Sequence, residues 1–141
     1  MQEWFGVRSV YEIRAVGIPK KTDKDFNPDI LMFEDRIVIF KAKDFESALK
    51  KARIEAERYI SQVYKNIYFQ KLIKKRLKRF NAFRIFDEPG DGKELYSTTR
   101  LIKGPLTYKQ AENLFFGKDE NAKQHRQRKK FLDRDFMAPI K

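Results

Sequence analysis

The chain has 141 residues, with 32 Lys and Arg against 20 Asp and Glu, one His, no Cys and a formal net charge of +12. A chain of this length buries roughly two thirds of its unfolded surface, so 41% hydrophobic and 14% aromatic residues suffice for a core without disulfide or metal staples. The absent Cys and lone His exclude thiol nucleophiles, thiolate zinc sites and multi-His metal centres. The longest apolar runs, Leu31 to Phe33 and Ile37 to Phe40, are far too short to span a bilayer. Met1 to Val10 has no secretory-signal pattern, so the expected location is cytoplasmic, with no membrane partner.

Trp4 to Ala15 reads as a strand. Phe5, Val7, Tyr11, Ile13 and Ala15 alternate onto one face, with Arg8, Glu12 and Arg14 on the other. Trp4 is read as a packing residue. The polar, aperiodic stretch 17–29 is an exposed loop. Met32 to Ala42 is a second strand, and its Ile37-Val38-Ile39-Phe40 run, apolar on both faces, predicts a central position covered on both sides. Asp44 fits an N-cap, and Phe45, Ala48, Leu49, Ala52, Ala56 and Tyr59 recur at helical spacing to about Ile60.

Over the basic segment Phe69, Leu72, Ile73, Leu77 and Phe80 suit a helical stripe, while Ile67, Phe69, Ile73 and Leu77 also fit one strand face; a second helix over about 66–78 is preferred, because a strand would put charges on both faces. A third strand spans Arg79 to Asp87. The turn Glu88-Pro89-Gly90-Asp91-Gly92 then leads to a fourth strand, Glu94 to Ile102, closing a hairpin. Thr107 caps a short helix through Phe116 that Gly117 stops, and a polar helix is expected over 119–132. The expected architecture is α+β: a small antiparallel sheet of about four strands in the order β-β-α-(α)-β-β, packed on one long helix, with a C-terminal helical extension. The expected domain spans 1–104, with a basic insertion at about 64–79, and a basic extension follows over 105–141.

The positive charge is concentrated. Residues 1–63 hold 12 basic and 11 acidic side chains, and residues 85–117 hold 4 and 5, so the body is nearly neutral. Residues 64–84 hold eight basic side chains and no acidic one, and residues 118–141 hold 8 and 4. Such clusters favour phosphate backbones, nucleotides or acidic protein faces. The candidate anion-binding residues are Lys71, Lys74, Lys75, Arg76, Lys78 and Arg79, with Arg126, Arg128, Lys129 and Lys130 in the tail. Among the interleaved aromatics, Phe69 and Phe80 are assigned to the core. That leaves Tyr64, Tyr68 and Phe83 as stacking candidates.

Little else carries chemistry. His125 lies in the polar tail beside Arg126, a poor setting for a general base, and no phosphate-cradling Gly-rich loop is present. Asp87, Glu88, Asp91 and Glu94, near Lys93, are the one acidic cluster that a metal-dependent nuclease could use, but Pro89 and two Gly explain the segment as a turn. No catalytic residue, metal ligand or cofactor is assigned, and the oligomeric state stays open.

The opening Trp4-Phe5-x-Val7-Arg8 with Tyr11-Glu12, the passage Ile37 to Ala48 leading to Ala52, and Asp91-Gly92-Lys93-Glu94-Leu95-Tyr96-Ser97 occur together in order. Over about residues 4–102 the chain thereby resembles the small bacterial domain-of-unknown-function family numbered 4288. The resemblance implies a compact α+β domain of bacteria or their mobile elements and brings no activity or catalytic residue with it. The chain departs from the family at 64–79 and after Pro105, the two places where charge accumulates.

The expected function is that of a non-enzymatic binding protein engaging nucleic acid or a phosphorylated nucleotide. The alternative is an immunity, antitoxin or counter-defence protein that neutralises an acidic protein partner or sequesters a nucleotide signal. The third reading is the nuclease. Neutralising 71–79 is expected to abolish polyanion binding and leave the fold intact.

Overall fold

The computed structural model describes residues 1–117. Its elements are β1 (Glu3–Val16), β2 (Met32–Ala42), α1 (Phe45–Ser61), β3 (Tyr64–Lys65), β4 (Lys71–Arg76), β5 (Asn81–Ile85) and α2 (Tyr108–Phe116). The strands form one antiparallel sheet in the order β2-β1-β4-β3, and β5 pairs with the remaining stretch of β1. The chain is thus an α+β domain with β1 at its centre.

The alternation along β1 decides the layers. Phe5, Val7, Tyr11 and Ile13 are all buried, and they point to the face that carries α1. Asp44 caps that helix by accepting from the Ser47 N–H at 2.8 Å. Ala48, Ala52, Ala56 and Tyr59 are the helix's buried residues, a stripe at spacings of three and four. Small core clusters result: Phe5 with Ala42 and Ala48, Tyr11 with Ala56 and Tyr59, and, beyond the helix, Ile13 with Met32, Tyr68 and Leu72. Trp4, on the opposite face of β1, is half-buried.

The position expected for β2 is corrected. It is an edge strand, and Ile37 and Ile39, on the sheet face away from α1, remain 47% and 36% exposed. An apolar run on both faces suits burial on both sides, but here one face meets α1 and the other lies open. At the end of the strand the Lys51 ammonium donates to the Lys41 carbonyl at 2.5 Å, covering one backbone acceptor with a lysine.

The second helix is not formed. Residues 64–76 are the β3–β4 hairpin, with Tyr64 opposite Leu72 and Lys65 opposite Lys71. The charges do fall on both faces, and aromatic rings make that tolerable. On the α1 face the Lys74 ammonium lies 4.3 Å from the ring centre of Tyr59 and 4.6 Å from that of Tyr64, and the Arg76 guanidinium lies 4.1 Å from that of Phe80.

β4 and β5 behave as one interrupted strand along β1. Arg76 faces Tyr11 and Asn81 faces Arg8, so four residues, Leu77 to Phe80, stand against two, Ser9 and Val10. The Leu77 N–H donates to the Val10 carbonyl at 2.9 Å, and Arg76 Nη1 donates to the carbonyls of Leu77 (2.7 Å) and Lys78 (3.0 Å). The bulge is therefore wrapped around an arginine.

The expected fourth strand is also absent. Residues 94–102 are exposed and irregular; only the turn forms, with the Lys93 N–H donating to the Gly90 carbonyl at 3.2 Å. Tyr96 packs on Phe83, ring centres 4.6 Å apart. Thr107 and Gln110 form a reciprocal capping box on α2, and Gly117, at φ 73°, ends it. The helix expected over 119–132 lies outside the described residues.

Candidate functional site

The predicted basic residues part into two groups. Lys71, Lys75, Lys78 and Arg79 are exposed and have no ion-pair partner among the described residues, and Lys65 joins them. Lys74 and Arg76 belong to the fold instead. Lys74 is 8% exposed, donates to the Gln62 carbonyl at 3.1 Å and lies between Tyr59 and Tyr64. Neutralising the whole stretch 71–79 would therefore disturb packing, contrary to expectation. Arg84 pairs with Glu3 at 3.2 Å. Arg126, Arg128, Lys129 and Lys130, with His125, lie outside the described residues.

All three predicted stacking residues are occupied within the fold. Tyr68 is buried and its hydroxyl donates to Asp23 Oδ1 at 2.6 Å. Tyr64 lies beneath Lys74, and Phe83 packs between Gly6 and Tyr96. Within residues 64–84 the exposed aromatic ring is that of Phe69, assigned to the core from sequence and 48% exposed at the tip of the β3–β4 hairpin.

That tip is tightly organised. Asn66, buried, accepts at Oδ1 from the N–H groups of Tyr68 and Gln70, both at 3.0 Å, and donates from Nδ2 to Gln70 Oε1 at 3.2 Å. Asn66 N–H donates to the Gln70 carbonyl at 2.9 Å, and Phe69 N–H to the Asn66 carbonyl at 3.0 Å. Gln70 Nε2 reaches the Gly17 carbonyl at 2.9 Å, and Lys20 N–H the Tyr68 carbonyl at 3.0 Å, so the loop after β1 is fastened to the hairpin. Phe69 sits at φ 64°, the left-handed position of a three-residue hairpin loop where Gly or Asn is usual. For a side chain of this size that conformation costs about 1–2 kcal/mol. Lys20 and Lys21 hold their ammonium groups 5.5 and 5.6 Å from the centre of the Phe69 ring. The turn-forming Asn66 between two strand-like runs is the sequence signal for this hairpin; the helical spacing of Phe69, Ile73 and Leu77 obscured it.

Below the tip, Lys65 and Lys71 face each other on the open side of the sheet. A shallow hollow of about 360 Å³ lies farther along, lined by Glu12, Arg14, Val16, Ile73 and Lys75. Glu12 stands opposite Lys75 in the ladder but ion-pairs with Arg14. Another hollow, of about 410 Å³, lies between the end of β1 and the loop 26–31. On the same open face Arg8 Nε and Nη2 donate to the two Asp35 oxygens at 2.7 and 2.6 Å. These bonds hold the Asp35 carboxyl below its ordinary range and raise the Arg8 guanidinium further.

Asp87, Glu88, Asp91 and Glu94 are exposed, and no group of three or more His, Cys, Asp or Glu that could hold a metal ion occurs among the described residues. Nor is any described helix long and apolar enough to cross a membrane. A family model described as a domain of unknown function (DUF4288) matches residues 4–97. No curated protein and no solved structure matches the chain.

Proposed function

Because the chain belongs to the DUF4288 family, whose description carries no activity, we propose a function from its own surface: a non-enzymatic binding protein that engages the phosphates of nucleic acid. The observation that carries this reading is Lys65 directly opposite Lys71, with neither ammonium ion-paired among the described residues. Like charges in cross-strand register cost stability, and a phosphate between them offsets that cost. Lys75, Lys78 and Arg79 extend the positive surface along β4 and the bulge. Arg126, Arg128, Lys129 and Lys130 are proposed as a second contact in the tail.

The test is equilibrium binding of a labelled oligonucleotide between ~50 and ~200 mM salt. Phosphate neutralisation predicts affinity that falls steeply with salt. Replacement of Lys65, Lys71 and Lys75 by Gln is expected to flatten the slope by about one per lysine removed. Binding that is absent at low salt, or indifferent to salt, overturns the reading. A stoichiometric complex with an acidic protein that survives moderate salt would favour the immunity alternative instead.

A further inference from the structure

We propose that Phe69 is a stacking platform for an unpaired base of single-stranded nucleic acid, with Lys20 and Lys21 receiving the phosphates beside it. The inference rests on the phosphate-binding reading above and specifies the class of nucleic acid.

The first argument is placement. Phe69 adopts φ 64° in a loop position that Gly or Asn fills without strain, yet it is a large apolar ring left 48% exposed. Neither strain nor exposure of the ring benefits the fold; both have a use if a ligand covers the ring. The second is surroundings. Lys20 and Lys21 come from the loop after β1, and their ammonium groups stand 5.5 and 5.6 Å from the ring centre without an ion-pair partner among the described residues. The neighbouring acid, Asp23, accepts from the Tyr68 hydroxyl and the Asp25 N–H. The two ammonium groups lie over the ring, more loosely than Lys74 over Tyr64, so a base that stacks there takes their place and its phosphate receives them. The third is rigidity. The bonds from Asn66, Gln70 and Lys20 fix the tip before any ligand arrives, so little ordering remains for binding to supply.

A ring on a convex tip meets the flat face of a base only if that base is splayed out of its stack. That condition favours a single strand over a duplex.

The experiment compares a fluorescein-labelled oligothymidylate, alone and annealed to its complement, on the unaltered chain and on Phe69→Gly and Phe69→Trp. The unaltered chain and Phe69→Trp should prefer the single strand. Phe69→Gly should bind it about tenfold or more weakly, keep its salt slope, and melt at the same temperature or a few degrees higher because the strain is gone. Undiminished single-strand binding by Phe69→Gly overturns the proposal, as does a lowered melting temperature, which would mark the ring as packing. Displacement of the strand by thymidine monophosphate at equal nucleotide concentration overturns the assignment to a strand. If the unaltered chain binds neither probe at low salt, the phosphate-binding reading fails as well. If it binds both equally and Phe69→Gly changes nothing, only the stacking proposal fails.

Discussion

Lys65 lies directly across the β3–β4 ladder from Lys71, two ammonium groups on one face of a two-residue strand pair. Lys65→Gln removes the repulsion and should raise stability by ~0.2–1 kcal/mol in urea unfolding. The same change should lower the salt slope of oligonucleotide binding by about one. A variant that is both less stable and unchanged in slope would show that the two lysines neither repel nor meet phosphate.

Lys74 and Lys71 are three residues apart and should behave oppositely. Lys74→Ala strips the stem packed against Tyr59 and Tyr64 and leaves the Gln62 carbonyl without its donor, a loss of about 1–3 kcal/mol. Its salt slope should stay that of the unaltered chain. Lys71→Ala should stay within ~0.5 kcal/mol in stability and lose about one unit of slope. Urea unfolding and salt titration on the same samples separate the two roles.

Gly6 stands opposite Phe83 in the β1–β5 ladder, and a Cβ on it would come within 2.2 Å of the Phe83 ring. Gly6→Ala should therefore cost about 1–3 kcal/mol by overpacking. In a Phe83→Ala background most of that cost should vanish, a non-additivity readable in a double-mutant cycle. Equal costs in both backgrounds would locate the penalty elsewhere.

The Arg8–Asp35 pair gives a pH dependence on the acid side. Asp35 has a lowered pKa in the folded chain, so the pair's stabilisation is present above the ordinary carboxylate value of 3.8 and is lost as pH falls below it. The side chains are 44% and 54% exposed, so solvent screening limits the gain to ~0–1 kcal/mol. Asp35→Asn should be less stable by that amount at neutral pH and low salt, and indistinguishable from the unaltered chain in strong acid. A difference that persists in acid would mean that the loss is not one of charge pairing.

Period-two alternation was enough to read β1 and both its faces, and three- and four-residue spacing with Asp44 was enough for α1, because both elements bury a regular stripe. β4 was harder. Its charges on both faces argue against a strand until Tyr59, Tyr64 and Phe80 are seen to lie under Lys74 and Arg76, and all three rings lie outside β4 itself. β2 looked central for a similar reason: Ile37 and Ile39 are apolar, and only topology shows that their side of the sheet is open. Of the binding surface, the concentration of lysines was legible. Phe69 was not, because its exposure follows from one left-handed residue in a hairpin loop, which helical spacing hid.

The central strand also sets the order in which the domain can be completed. β1 is synthesised first, but its second edge is filled only by residues 71–85, with Trp4 waiting for Ile85. Until then one side of the strand has nothing to pair with except water or another chain. Closing so long a loop costs entropy before any contact repays it, so folding should be slow for a chain of this size and should follow release of β5 from the ribosome. The middle of the sheet is the first part made and the last part finished.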